Sequence, residues 1–143
     1  MIFCDTSTLA KYYVPEPERP AVRSTLDAAA QVALSELARI ELMAAFHRQL
    51  REGKWNRLQF SAFVRQFGRD TLSGQWTWLR LDQEIIDAST SLYLTLSETI
   101  YLRASDCLHL VTALHHGFTE IHTHDRHQER AASALGLKPR LIL

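Results

Sequence analysis

Short apolar segments alternate along this chain with longer segments of helical periodicity, and this alternation limits the possible folds more than any other feature. The apolar segments are predicted as strands: 1–4, 31–35, 76–81, 120–123 and 140–143. The segments between them carry apolar residues at helical spacing and are predicted as helices: 9–13, 18–30, 36–52, 57–67, 82–97, 106–116 and 126–135. Short strands separated by helices pair in parallel and are covered by helices on both faces. The sequence therefore predicts an α/β fold.

The composition is that of an ordinary globular protein. The chain has 143 residues, of which 46% are hydrophobic and 22% charged, and these values exclude a disordered chain or a coiled coil. At this length we expect one domain over residues 1–143. Because 16 Lys and Arg residues balance 16 Asp and Glu residues, net charge gives no argument for nucleic-acid binding, although a local basic patch suffices for it.

The two cysteines and the hydropathy pattern predict a soluble, cytoplasmic protein. Cys4 and Cys107 lie in apolar runs without CxxC spacing, which is typical of buried, reduced thiols. Asp5 follows the first four residues directly, so the N-terminus does not resemble a signal peptide. The longest run free of Lys, Arg, Asp and Glu has 13 residues, 107–119, which is too short to span a bilayer.

Acidic residues stand at the positions where α/β proteins place functional groups. Asp5, Asp82 and Asp125 follow predicted strands, and functional groups gather beyond the carboxyl ends of parallel strands. Glu41 and Asp106 lie on predicted helices with apolar neighbours. The Glu41 side chain rises from an apolar stripe, where a bare carboxylate would cost several kcal/mol, so it needs a partner.

Each of the other acids also has a structural interpretation. Asp5 is suited to cap the turn that begins at Thr6, and Asp125 with Gln128 resembles a capping box. A carboxylate in the first turn of a helix, such as Asp106, is favoured by the helix dipole whether or not it does chemistry. Asp82 is interpreted as an ordinary cap.

Several carboxylates sharing one pocket repel each other, and a divalent cation is the usual remedy. No Lys or Arg is placed to pair all four of the remaining acids, with Arg39, Arg103 and Arg126 the nearest in sequence. Oxygen ligands without cysteine indicate Mg²⁺ or Mn²⁺ and not zinc. The histidines do not have zinc-ligand spacing.

Four motifs in register resemble the PIN domain, and are most similar to the VapC-type ribonuclease toxins of prokaryotic toxin–antitoxin pairs. The first two are Ile2-Phe3-Cys4-Asp5-Thr6-Ser7 and Ser35 with Glu41. The third is Leu102-Arg103-Ala104-Ser105-Asp106-Cys107-Leu108-His109-Leu110, and the fourth is Thr123-His124-Asp125-Arg126 followed by Ala131-Ala132 and Ala134-Leu135-Gly136-Leu137. The resemblance covers the whole chain, with Cys4 and His124 as departures from the commonest pattern.

The resemblance implies a three-layer α/β/α sandwich around a mostly parallel sheet of four to five short strands. It implies that Asp5, Glu41, Asp106 and Asp125 hold one or two Mg²⁺ or Mn²⁺ ions for hydrolysis of RNA phosphodiester bonds. Supporting hydroxyl groups are then expected from Thr6, Ser7 and Thr123.

Residues 39–69 carry seven Lys and Arg residues against two Glu residues. Five of the cations are candidates for binding RNA or a protein partner: Arg39, Arg48, Arg51, Lys54 and Arg57. Aromatic residues interleave with them, but a solvated polar face over an ordinary core is the competing interpretation. The resemblance implies that this region also binds a cognate antitoxin, in an apolar groove that accepts a partner helix, and that the protein forms homodimers.

Two other functions remain open on the sequence. One is a PIN-fold protein that processes RNA, or only binds it, without an antitoxin. The other is a phosphoreceiver-type signalling module, with Asp82 as acceptor. That module needs two acids after the first strand, where this chain has Asp5 alone, and a Lys after the fifth strand, whereas Lys138 precedes the last one.

Overall fold

Short parallel strands form the centre of the fold. The computed structural model describes residues 1–143, and its strands are β1 (Ile2–Phe3), β2 (Val32–Ser35), β3 (Trp76–Leu79), β4 (Glu120–His122) and β5 (Lys138–Arg140). β2 pairs with β1 on one side and β3 on the other, and β4 pairs with β5, always in parallel. One parallel bridge, between Cys4 and His122, joins the two groups. The resulting order, β3-β2-β1-β4-β5, confirms the predicted parallel sheet of four to five strands.

Seven helices cover the two faces of the sheet. They are α1 (Thr6–Tyr13), α2 (Arg19–Ala28), α3 (Leu37–Arg51), α4 (Arg57–Leu72), α5 (Gln83–Thr95), α6 (Ala104–His115) and α7 (Arg126–Ala134). No helix has both the length and the apolar character needed to cross a membrane.

Alternation along the strands separates the core into two parts. Val32 and Leu34 pack with apolar residues of α1 to α4, whereas Ala33 between them packs with those of α5 to α7. Successive strand residues point to opposite faces, so β2 is buried on both. Cys4 and Cys107 lie on opposite sides of the sheet as buried free thiols, as predicted. The α/β/α sandwich is therefore confirmed.

The predicted element boundaries are wrong at several ends. α1 begins at Thr6 and not at residue 9, because the Asp5 side chain caps it by accepting from the Thr8 N–H at 3.2 Å. α4 continues through Gly68, where the cost of a helical glycine, about 1 kcal/mol, is set against burial of Phe67 and Asp70 on either side. The last strand ends at Arg140, and of the apolar residues after it only Ile142 is buried.

A buried chain of hydrogen bonds ties α1, α4 and β3 together. The Tyr13 hydroxyl donates to Asp70 Oδ2 at 2.6 Å and accepts from Trp76 Nε1 at 2.9 Å. Gln66 Nε2 donates to the other oxygen of Asp70 at 2.7 Å. Burial, together with the hydrogen bond to the Asp70 carboxylate, raises the pKa of Tyr13 well above its ordinary value. The hydroxyl thus remains a protonated donor to a carboxylate inside the core.

Replacing Tyr13 by Phe is expected to lower the free energy of unfolding by roughly 1–3 kcal/mol, because it removes one of the two donors to a buried carboxylate and leaves an indole N–H without its acceptor. The ring still packs against Phe46 and Phe67. Urea unfolding measures the change. Tyr101→Phe is the matched control, since its side chain is 62% exposed; equal stability of the two variants would contradict the role of the buried network.

Candidate active site

Asp5 lies where β1 ends and α1 begins, and its carboxylate is held on all sides by donors. Oδ1 accepts from the Ser7 hydroxyl at 2.6 Å and from the Thr8 N–H, and Oδ2 accepts from the Thr123 hydroxyl at 2.6 Å. The residue is 4% exposed. Burial raises the pKa of the carboxyl, and His109 and the hydrogen bonds oppose that rise. The sequence-based interpretation of Asp5 as a helix cap is correct.

Thr123 links the first and last acids of the predicted set. Its hydroxyl donates to Asp5, and the Asp125 N–H donates to it at 3.1 Å. Ser7 makes a parallel link, since its oxygen accepts from the His124 N–H at 2.8 Å. The imidazole of His124 forms hydrogen bonds with the Thr8 hydroxyl through Nδ1 and with the Ile142 carbonyl through Nε2. These two contacts give a structural reason for histidine at a position where it departs from the commonest pattern.

Glu41 has the partner that its apolar surroundings require, and that partner is His109. Glu41 Oε1 accepts from His109 Nε2 and from the Thr6 hydroxyl, the latter at 2.7 Å. Burial acts to raise the pKa of Glu41, but the hydrogen bonds and charge of His109, with Thr6, lower it below its ordinary value. His109 is 2% exposed, and its Nδ1 has no hydrogen-bond partner.

Arg103 joins the other two acids. Its Nε donates to Asp106 Oδ2 and its Nη2 donates to Asp125 Oδ2, each at 2.9 Å. The hydrogen bond to Asp106 raises the pKa of Arg103, which keeps the guanidinium charged. Asp125 uses its other oxygen to cap α7, accepting from the N–H groups of His127 and Gln128.

These side chains surround one polar cavity of about 140 Å³. No apolar residue lines it; its walls are Asp5, Thr6, Ser7, Glu41, Arg103, Ser105, Asp106, His109 and Asp125. All four predicted acids and two of the predicted hydroxyl residues therefore come together, and Thr123 lies directly behind Asp5. Asp82 does not line the cavity and caps α5 instead, as interpreted.

His109, Arg103 and Ser105 were not predicted as site residues. For His109 the sequence contained a usable signal, because it lies three residues after Asp106 on one helix and hence on the same face. Ser105 lies in the first turn of α6, which begins at Ala104, two residues before the predicted start, with Arg103 in the cap position.

The predicted cations of the helical hairpin lie outside this cavity, and all are exposed: Arg39, Arg48, Arg51, Lys54 and Arg57. Glu52 pairs with both Arg48 and Lys54. The interleaved aromatic residues mostly pack the hairpin; Trp55 stacks on Phe63 with ring centroids 4.1 Å apart, and Phe67 is buried. These rings therefore do not offer an exposed stacking surface for bases.

The donor set fits a hard divalent cation, although no three His, Cys, Asp or Glu side chains are arranged to bind a single ion. Glu41 faces His109, and Asp106 and Asp125 face Arg103. Mg²⁺ commonly binds through one or two carboxylates and keeps several waters, so a polar cavity with carboxylate walls suits it.

The order of the sheet places this cavity at the point where the chain reverses direction across the sheet, between β1 and β4. The fold and site thus define an α/β protein with an acidic centre at the carboxyl edge of a parallel sheet. A family model described as PIN domain matches residues 2–134. The chain belongs to the PIN domain family. This confirms the resemblance and excludes the phosphoreceiver alternative.

Three solved structures are similar to this chain over most of its length. FitAcB from Neisseria gonorrhoeae has a TM-score of 0.76 at 19% identity, covering 97% of this chain and 96% of its own. VapC20 from Mycobacterium tuberculosis, a sarcin-ricin loop cleaving toxin, has a TM-score of 0.70 at 14% identity, covering 92% and 95%. VapBC2 from Rickettsia felis, bound to a DNA fragment from its promoter, has a TM-score of 0.68 at 13% identity, covering 100% of both chains. No curated protein matches the sequence.

Replacing Thr123 by Val is expected to lower the free energy of unfolding by about 1–3 kcal/mol, because the buried Asp5 loses a donor and the Asp125 N–H loses its acceptor. Thermal or urea unfolding measures the loss. Thr95→Val, at an exposed position near the end of α5, serves as the control. A Thr123→Val variant as stable as the control would show that Asp5 does not depend on this hydroxyl.

Proposed function

We propose that this protein is an endoribonuclease that depends on Mg²⁺ or Mn²⁺ and acts as the toxin of a toxin–antitoxin pair. The observation that carries the proposal is the convergence of Asp5, Glu41, Asp106 and Asp125 on one polar cavity at the sheet edge. The PIN family assignment and the toxin–antitoxin neighbours support it.

In this proposal Asp5 and Asp106 hold the cation directly, and Asp125 and Glu41 bind it directly or through water. Held by these carboxylates, a divalent ion would supply a water that ionises near neutral pH and a positive charge that stabilises the phosphate under attack. Glu41, oriented by Thr6 and His109, accepts the proton of the attacking water. Ser7 and Thr123 fix Asp5 in one orientation, so the site needs little rearrangement before the reaction.

Substitution Asp106→Asn is expected to reduce RNA cleavage at least 100-fold, because it removes a charged ligand while keeping the shape of the side chain. Asp106 is preferable to Asp5 for this test, since Asp5 also caps α1. The measurement is cleavage of total cellular RNA with Mg²⁺ or Mn²⁺ against EDTA. The RNA fragments are resolved on a denaturing gel beside those produced by wild type.

The matched control is Asp87→Asn, an exposed acid on α5 that lies outside the cavity. It should cut as wild type does and stop cutting in EDTA. Cleavage by Asp106→Asn at the wild-type rate would show that Asp106 has no role in catalysis. Undiminished cleavage by wild type in EDTA would show that the reaction does not require a metal ion.

The proposed antitoxin surface is an apolar groove of about 540 Å³ beside α3 and α4. Apolar side chains of Leu37, Ile40, Met43, Phe67 and Leu81 line it, with Glu36 and Arg39 as the polar members. Ile40 is 71% exposed and is continuous with the other apolar residues of the groove, and a contiguous exposed apolar patch is typical of an interaction site. The exposed cations of the hairpin add attraction for an acidic partner or for RNA phosphates.

Ile40→Glu is expected to weaken antitoxin binding roughly tenfold or more, since it places a charge in an apolar contact. The probe is any small protein that is found to be encoded next to this gene, co-expressed and purified, with binding measured by calorimetry. Leu72→Glu is the control, as Leu72 is 90% exposed and does not line the groove. Equal antitoxin affinities of the two variants would indicate that the antitoxin binds a different surface of this protein. A neighbour that does not bind wild type would favour an RNA-processing nuclease without antitoxin.

The homodimer and the cytoplasmic location remain part of the same proposal. Light scattering on the purified protein tests the first, since a monomer and a dimer of 16.4 kDa chains are well separated in mass.

A further inference from the structure

Arg103 is the one basic side chain that enters the acidic cavity with a permanent charge. Its guanidinium bridges Asp106 and Asp125, whose sequence positions are 19 apart, through two different nitrogen atoms. The side chain is 49% exposed, so the bridge stands at the solvent side of the cavity while Asp106, at 12%, lies deeper. Arg103 therefore already supplies positive charge where two of the proposed ligands meet.

This contact has a physical reason that does not involve the backbone. Arg103 occupies the cap position of α6, but its side chain makes no capping hydrogen bond. Two carboxylates in one cavity repel each other unless a cation lies between them. A planar guanidinium offers donors in a fixed fork and reaches two carboxylates at once, which an ammonium does less well.

We propose that Arg103 is a built-in counter-cation that allows the acidic cavity to fold without metal and competes with the divalent ion for Asp106 and Asp125. The inference rests on the proposed function, because it concerns the same carboxylates. Arg103 holds Oδ2 of both Asp106 and Asp125, and its positive charge repels a cation that binds either carboxylate, so the ion competes with these contacts. The affinity for the ion is therefore reduced by the free energy of the contacts that are lost, and Arg103 sets the concentration at which the site fills.

The competition distinguishes this role from a purely structural one. If Arg103 only orients the two acids, its removal weakens metal binding and destabilises the protein with or without metal. If Arg103 competes, its removal destabilises the metal-free protein but strengthens metal binding. The two effects on affinity have opposite signs.

The experiment measures Mn²⁺ binding by calorimetry at 0.15 M salt for wild type, Arg103→Met and Arg103→Lys, together with melting temperatures in EDTA and in Mn²⁺. We expect Arg103→Met to bind Mn²⁺ at least about tenfold more tightly, which corresponds to the loss of one competing charge-assisted hydrogen bond. It should melt at a lower temperature than wild type in EDTA, and Mn²⁺ should raise its melting temperature by more than it raises that of wild type. Arg103→Lys should fall between the two.

Arg130→Met controls for the general loss of one positive charge, since Arg130 is exposed on α7 and outside the cavity. Its Mn²⁺ affinity should match that of wild type within about twofold, because exposed charges at a distance are screened. Unchanged or weaker Mn²⁺ binding by Arg103→Met, with wild type binding the ion, would overturn the inference and leave the proposed nuclease intact. Absence of Mn²⁺ binding in every variant would overturn both, whereas binding by Arg103→Met alone would support the competition.

Discussion

Repulsion between carboxylates that share one small cavity is the constraint on which the rest of this structure depends. In this chain, each acid has hydrogen-bond donors that offset the repulsion. Asp5 is surrounded by hydroxyl and amide donors, Glu41 faces a buried histidine, and Asp106 shares an arginine with Asp125. These donors come from α1, α6 and the segment after β4, so neutralising the acids also fastens the layers of the sandwich to each other.

The topology of the sheet explains why these particular elements meet. β1 lies in the middle, with β2 and β3 added on one side and β4 and β5 on the other. The two connections that leave the ends of β1 and β4 thus diverge from a common point, and the cleft between them is where α/β proteins bind ligands. Asp5 and Thr123 occupy that point, and the Asp5 N–H donates to the His122 carbonyl across it at 3.2 Å.

The sequence was sufficient for the fold class and for the convergence of the four acids on one cavity, because both follow from local patterns. Apolar strands such as 31–35 and an acid after β1 can be recognised without knowledge of the tertiary structure. Glu41 was more informative still, since its apolar neighbours required a partner. The identity of that partner, His109, depends on how α3 packs against α6, which no local pattern specifies. The Arg103 bridge between α6 and Asp125 depends on tertiary packing in the same way, and Gly68 shows that burial of neighbours outweighs a local helix-stop signal.

The structural and functional interpretations of the acids are compatible, because each carboxylate has two oxygen atoms. Asp125 gives Oδ1 to the N–H groups of α7 and Oδ2 to Arg103. Asp5 likewise gives Oδ1 to the cap of α1 and Oδ2 to Thr123. A cap fixes the position of the carboxylate through one oxygen and leaves the second to face the cavity or its supports. An acid at a helix N-terminus beside a sheet edge is therefore well suited to a proposed cation site, since the helix it caps holds it rigid.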